Sequence, residues 1–211
     1  MAEIKEFGLE VQRTLRYYAL GDPENASVLL ISLHGFGQLA QFFIKNLDIG
    51  RDEIYVIAPE GMHRFYLQGN SGRVGASWMT KEARELDITE NSIALDALLK
   101  EIKSRYNFTK VILLGFSQGG ATAARWFFQS PKSVDNLILW ASVFPPDLEK
   151  PTITPNASNY FVLGNQDEYY TEEQQISEID SYEKMGFQTV QYKGKHAIDK
   201  GVLADILNRL I

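Results

Sequence analysis

Val111-Ile112-Leu113-Leu114-Gly115-Phe116-Ser117-Gln118-Gly119-Gly120-Ala121-Thr122-Ala123-Ala124 is the stretch on which the reading of this chain turns. The short apolar run predicts a buried parallel strand, and the small residues after Ser117 predict the start of a helix. Between them stands Gly-x-Ser-x-Gly, with Gly115 and Gly119 each two positions from the serine. A strand that turns directly into a helix reverses so tightly that a side chain larger than hydrogen would clash at those two places. The serine at the apex is then held in a strained backbone conformation. Its Oγ stands above the sheet edge, and the next amide lies at a helix N-terminus. The spacing alone is a weak signal, because glycine is common. The strand before it and the helix after it make it a candidate nucleophile elbow.

Outward from this unit the chain alternates between the two periods. Residues 9–19 place Val11, Leu15 and Tyr17 on one side and predict an edge strand. Across the turn Gly21-Asp22-Pro23 it is expected to form an antiparallel hairpin with the apolar run 28–33. Residues 39–47 read as a helix, and 54–58 as a strand stopped by Pro59. From Glu60 to Thr80 the pattern lapses, and this segment is expected to be irregular and lid-like. Leu95, Leu98, Leu99, Ile102 and Tyr106 then fall at helical spacing, with Asp87 and Glu90 placed like a capping pair. After the elbow come a helix over 121–129, a strand over 137–141 and a proline-bearing surface connection over 145–155. Another core strand spans 160–163. Thr171-Glu-Glu-Gln174 opens a helix to Lys184 with capping-box spacing, 187–192 is the last strand, and Val202, Leu203, Ile206, Leu207 and Leu210 line a closing helix. Such alternation predicts one α/β domain over 1–211, with a mostly parallel seven-stranded sheet and helices on both faces. Ligands of such sheets bind at the carboxyl ends of the strands, which is where Ser117 sits.

Composition narrows the function classes. The 211 residues contain no cysteine, which excludes disulfides, thiolate metal sites and a cysteine nucleophile. A formal net charge of −6 without a basic run makes nucleic acid and anionic membrane poor partners. The N-terminus has no apolar signal core and no run reaches the length of a membrane span. The expectation is a cytoplasmic protein with no nucleic acid partner and no integral membrane association, for which a homodimer is an allowed assembly.

A serine hydroxyl needs a base, and the base needs an orienting acid. The three histidines are His34, His63 and His196. When the order along the chain is serine, acid, base, only His196, in Lys193-Gly194-Lys195-His196 after the last strand, follows Ser117. The acid is expected in Gly164-Asn165-Gln166-Asp167-Glu168, which leaves the end of the 160–163 strand. Asp167 is the candidate, and Glu168 is read as a polar residue of the loop. His34-Gly35-Phe36-Gly37 lies at the end of another buried strand, where glycines let amides approach a substrate. The Phe36 and Gln118 N–H groups are the candidate oxyanion hole. His34 itself is read as a structural support of that loop.

Gly115-Phe-Ser-Gln-Gly-Gly, His34-Gly-Phe-Gly, the Gly164…Asp167 loop and Gly194…His196 together resemble the phospholipase/carboxylesterase family of α/β hydrolases. These are small esterases related to acyl-protein thioesterases. The resemblance extends over nearly the whole chain. It implies an α/β-hydrolase fold lacking the first strand of larger members, and hydrolysis of a small-molecule ester or thioester substrate through an acyl-enzyme. No cofactor and no metal are required. Gly75-Ala-Ser-Trp78-Met79 resembles the family's glycine-plus-Trp-Phe-Asp segment, although Met79-Thr80 replaces Phe-Asp. Trp78, Met79 and Phe65 are accordingly expected to line the substrate pocket, so that Trp78→Ala alters the acyl-length profile more than stability. Competing readings are a peptidase or lactonase on the same scaffold, a non-catalytic binding protein of this fold, and a metal-dependent hydrolase. Three scattered histidines have no ligand spacing for the last.

Overall fold

The computed structural model describes residues 3–129, 134–149 and 158–211. The sheet is built from β1 (Tyr17–Leu20), β2 (Val28–Leu33), β3 (Ile54–Pro59), β6 (Lys110–Phe116), β7 (Asn136–Trp140), β8 (Tyr160–Gly164) and β9 (Gln188–Tyr192). Every residue of β2, β3, β7 and β8 is buried, as continuous apolar runs between two helical layers require. The strand order is β1-β3-β2-β6-β7-β8-β9, and only β1 runs antiparallel to its neighbour. The mostly parallel seven-stranded sheet of the sequence reading is therefore present.

The expected hairpin between the first two strands is not. β2 has both edges occupied, by β3 and by β6, each in parallel register. The first strand is left to pair with β3, Tyr17 opposite Pro59 and Leu20 opposite Val56. It is also shorter than its alternating pattern suggests, since residues 3–16 form no strand.

The helices are α1 (Ala40–Phe43), continued by a 3₁₀ turn over Ile44–Leu47, then α2 (Arg84–Arg105), α3 (Gln118–Gln129), α4 (Glu172–Lys184) and α5 (Lys200–Leu210). The step from β2 to β3 and the step from β3 to β6 go in opposite directions across the sheet. Because such crossovers are right-handed, α1 falls on one face and α2 on the other, with α3 packed beside α2. The reversal leaves a crevice between the carboxyl ends of β2 and β6. Those ends carry His34-Gly35-Phe36-Gly37 and Ser117 respectively.

The segment 60–80 is more ordered than expected. It contains a two-stranded hairpin, β4 (His63–Gln68) and β5 (Ser71–Ser77), joined at Gly69-Asn70. Most of β4 is exposed, so its sequence lacks the apolar alternation that marks a strand against a core. Asp87 and Glu90 do not cap α2 either. The N-cap is Ala83, in the left-handed region at φ 48°, and Asp87 in the first turn is buried. Its carboxylate accepts from the Thr80 amide at 3.2 Å and meets His63 Nε2 at 2.9 Å. In α4 the capping box is formed in both directions between Thr171 and Gln174. Of the proline-bearing connection, residues 150–155 lie outside the described residues. Asp147 in its first part takes a two-pronged bond from Arg125 of α3, at 2.8 and 2.6 Å, which holds its carboxyl down at about 2. Among the described residues no helix is long and apolar enough to cross a membrane.

Candidate active site

Ser117 sits between β6 and α3 with φ 53°, a left-handed conformation that costs a non-glycine residue energy. Its amide donates to Trp140 O of β7 at 2.9 Å, and its carbonyl accepts from the Gly120 amide at 2.9 Å. These two bonds hold the strained apex in place. The flanking glycines are required by close approach. A Cβ on Gly115 would lie 2.6 Å from Gly119 O, and one on Gly119 would lie 2.3 Å from Leu33 O. The second contact shows that the elbow presses directly on the end of β2.

His196 and Asp167 come from the loops after β9 and β8. The loops are joined through the backbone: the Gln166 amide donates to Gly194 O and the Asn165 amide to Tyr192 O, both at 2.8 Å. Asp167 is buried. One carboxylate oxygen accepts from the Tyr169 amide at 3.0 Å, and the other is 2.7 Å from His196 Nδ1. An ionised carboxylate only accepts, so Nδ1 carries the proton and Nε2 keeps its lone pair. The imidazole lies 4.9 Å, centre to centre, from the ring of Phe116, the residue before the serine. The Tyr169 ring packs edge-on against the same imidazole at 4.5 Å. Glu168 points elsewhere. Its exposed carboxylate is 3.5 Å from the His196 backbone amide and makes no hydrogen bond to the ring. Backbone donors, its own amide first, hold it below the usual carboxylate range.

The loop after β2 closes the other side. A Cβ on Gly35 would stand 3.2 Å from Ser117 Cβ, so the His34-Gly-Phe-Gly turn abuts the elbow. The amides of Phe36 and Gln118 donate to no described residue, whereas the amides on either side of Phe36 are engaged. The Gly37 amide donates to Ala76 O at 2.9 Å, and the Gly35 amide to Gln38 Oε1 at 2.9 Å. His34 is fully buried. Its Nδ1 bonds Gly35 O at 2.8 Å, while Nε2 accepts from the Gly61 amide at 2.9 Å. Both nitrogens are used, so His34 acts as a brace for the loop. Burial lowers its pKa, against smaller opposing effects of the Gly35 carbonyl and Glu60.

That shift has a consequence for stability. The unfolded chain protonates this imidazole as pH falls through about 6.5, while the buried ring resists until lower pH. Its contribution is complete above that value and is lost progressively on acidification below it. The melting temperature is expected to fall between pH 7 and 5.5, and to fall less in His34→Gln. An equal fall in both proteins would assign the acid sensitivity to other groups.

Of the residues expected at the pocket wall, Trp78 is buried, whereas Met79 and Phe65 are partly exposed. Trp78 is 1% exposed, and its indole N–H donates to His34 O at 2.8 Å beneath the loop. Its ring lies 5.1 Å from that of His34. Phe65 stacks at a tilt on the exposed Phe36, centroids 5.1 Å apart. The main chain of this segment is tied to the Gln118 side chain: Oε1 accepts from the Trp78 amide at 3.1 Å, and Nε2 donates to Met79 O at 2.8 Å. Gln118 thus anchors the first turn of α3 to the end of β5, a role that the Gly-x-Ser-x-Gly pattern does not reveal. Trp78→Ala is therefore a stability mutation, expected to cost about 3–5 kcal/mol in chemical denaturation. A cost below about 1 kcal/mol would show that the indole is not needed to fill this site.

A cavity of about 380 Å³ opens at Ser117. Ala121, Ala141, Val143, Tyr169, Tyr170 and Glu178 are among the residues that line it. The wall thus comes from the end of β7 and from α4 with the loop before it, distant in sequence from residues 60–80.

The family model described as the alpha/beta hydrolase fold matches residues 28–192. A carboxylesterase from Mesorhizobium loti superposes with a TM-score of 0.72 at 16% identity, covering 92% of this chain and 94% of that one. The acyl-protein thioesterase 2 of Zea mays superposes with a TM-score of 0.67 at 15% identity, covering 92% and 97%. In sequence, a rice protein (Oryza sativa subsp. japonica) named a probable 1-acylglycerol-3-phosphate O-acyltransferase is 30% identical over 118 residues. That match takes in 56% of this chain but only 26% of the rice protein. With the strand order, the strained serine between β6 and α3, and the matched span of 28–192, the chain belongs to the alpha/beta hydrolase fold family.

Proposed function

We propose that the protein is a serine hydrolase of the phospholipase/carboxylesterase type that cleaves carboxylic ester or thioester bonds of small acyl substrates. The observation that carries this reading is the Asp167–His196 pair, 2.7 Å apart, lying against Phe116 beside a serine in a left-handed conformation. Ser117 Oγ attacks the acyl carbonyl while His196 Nε2 takes its proton. Asp167 keeps the imidazole in the Nδ1–H tautomer and stabilises the imidazolium that forms. The Phe36 and Gln118 amides receive the oxyanion, each worth up to about 4 kcal/mol of transition-state stabilisation. His196 then protonates the leaving alcohol or thiol, and a water attacks the acyl-enzyme by the same route. No step uses a cofactor.

The name of the rice relative offers a second reading, transfer of the acyl group to an acceptor other than water. The acceptor in that name carries a phosphate, whereas the one charged residue lining the cavity, among the described residues, is the carboxylate of Glu178. The described lining offers no cationic side chain to hold a phosphate, which favours water as the acceptor. Peptidase and lactonase activities need the same groups and are separated only by substrate. Hydrolysis of p-nitrophenyl acetate and butyrate by the purified protein tests the main reading. Release of nitrophenol no faster than in buffer would contradict it.

A further inference from the structure

We propose that Tyr169 is a positioning residue of the catalytic base, whose ring holds the His196 imidazole in register with Asp167 and keeps water from the bond between them. This rests on the hydrolase reading and adds a residue to the same site. The segment from Asp167 to Tyr170 is a turn, closed by the Tyr170 amide on Asp167 O at 3.3 Å. Within it the two tyrosines part: Tyr170 packs against the core, while Tyr169 stays 72% exposed. Tyr169 nevertheless serves both members of the pair. Its amide donates to one carboxylate oxygen of Asp167 at 3.0 Å, and its ring lies edge-on to the imidazole, centroids 4.5 Å apart and planes at 60°. Its hydroxyl has no hydrogen-bond partner among the described residues, so the contact belongs to the ring. Although both loops lie at the surface, the His196 side chain is only 14% exposed and that of Asp167 not at all. Water reaching Nδ1 would compete for the proton that Asp167 accepts. It would also raise the dielectric around the ion pair formed when His196 takes the serine proton. An imidazole free to turn would carry Nε2 away from Ser117 Oγ. A ring packed on it opposes both.

Tyr169→Ala removes the ring and keeps the amide that holds Asp167, so it isolates the contact. It should lower kcat about tenfold or more, by the same factor for p-nitrophenyl acetate and hexanoate. The melting temperature should change little, because the side chain is exposed. Tyr169→Phe should recover most of the loss. A loss that grows with acyl length would make the ring a cavity wall instead, and a Tyr169→Phe as impaired as Tyr169→Ala would assign the effect to the hydroxyl. Either result overturns the proposal. Ring-nitrogen NMR shifts of the three histidines, with His196 assigned by its loss in His196→Ala, read the placement without turnover. The Nδ1–H tautomer should dominate in the wild type and in Tyr169→Phe, and give way to a mixture with Nε2–H in Tyr169→Ala. Full activity or an unaltered tautomer in Tyr169→Ala overturns the proposal. The expected tautomer shift in a protein that cleaves no ester would end the hydrolase reading and keep the role of Tyr169 in holding the imidazole. Ester cleavage by the wild type, with kcat and tautomer both unchanged in Tyr169→Ala, would do the reverse.

Discussion

Replacing Ser117 by alanine is expected to lower kcat for p-nitrophenyl acetate by about 10⁴ or more, with the fold intact. The loss should be this large because the elbow concentrates the chemistry on one atom. Ser117 is held at φ 53°, at the crevice between β2 and β6, with the unengaged amide of Gln118 next in the chain and that of Phe36 in the loop that abuts the elbow. Alanine keeps the backbone bonds to Trp140 and Gly120, so stability should change little while the nucleophile disappears. What remains is the oxyanion hole and substrate binding, which alone give a modest rate above water. His196→Ala should cost a similar factor, and the double variant little more than either, because base and nucleophile act as a unit. Ordinary turnover by purified Ser117→Ala would remove the serine mechanism.

Asp167→Asn carries the second large effect, a loss in kcat on the order of 10⁴. The geometry is nearly isosteric, so the effect is one of protons. Oδ1 of Asp167 already accepts from the Tyr169 amide, and Oδ2 accepts from His196 Nδ1. If the new side-chain oxygen keeps the Tyr169 bond, the amide NH₂ faces Nδ1. The imidazole must then place its proton on Nε2, where the serine proton has to go. Glu168→Gln should be mild by comparison. Its carboxylate is exposed and reaches the His196 backbone amide, at 3.5 Å, and not the ring. Steady-state kinetics on both variants decide the assignment, and a larger loss in Glu168→Gln would move the acid to that residue.

The parts of this site that were legible in the sequence are those whose residue types are dictated by backbone geometry. Gly115 and Gly119 have no room for a Cβ, so the elbow announces itself in any sequence that forms it. The loop bearing Asp167 follows a buried apolar strand whose end is easy to place, and His196 is found as the one histidine after the serine. Pairing between strands is different in kind. Nothing local in residues 17–20 says that β2 will have both edges taken and leave β1 to β3. The hairpin β4–β5 escaped for another reason: most of β4 faces solvent, so burial imposes no period on it. The Gly69-Asn70 dipeptide, a two-residue hairpin turn, was the available signal. Apolar content likewise misplaced Trp78, whose ring is spent on the core under the His34 loop. The actual cavity wall draws on Tyr169, Tyr170 and Glu178, polar positions in and before α4 whose pattern reads only as an amphipathic helix and its approach.

The central claim is that Ser117 is an activated nucleophile, and covalent labelling tests it most directly. Treatment with a fluorophosphonate probe, followed by peptide mapping, should place one adduct on Ser117. His196→Ala should label far more slowly, and Ser117→Ala not at all. A protein that stays unlabelled under conditions that saturate known serine hydrolases, or that carries its adduct on another residue, would contradict the account.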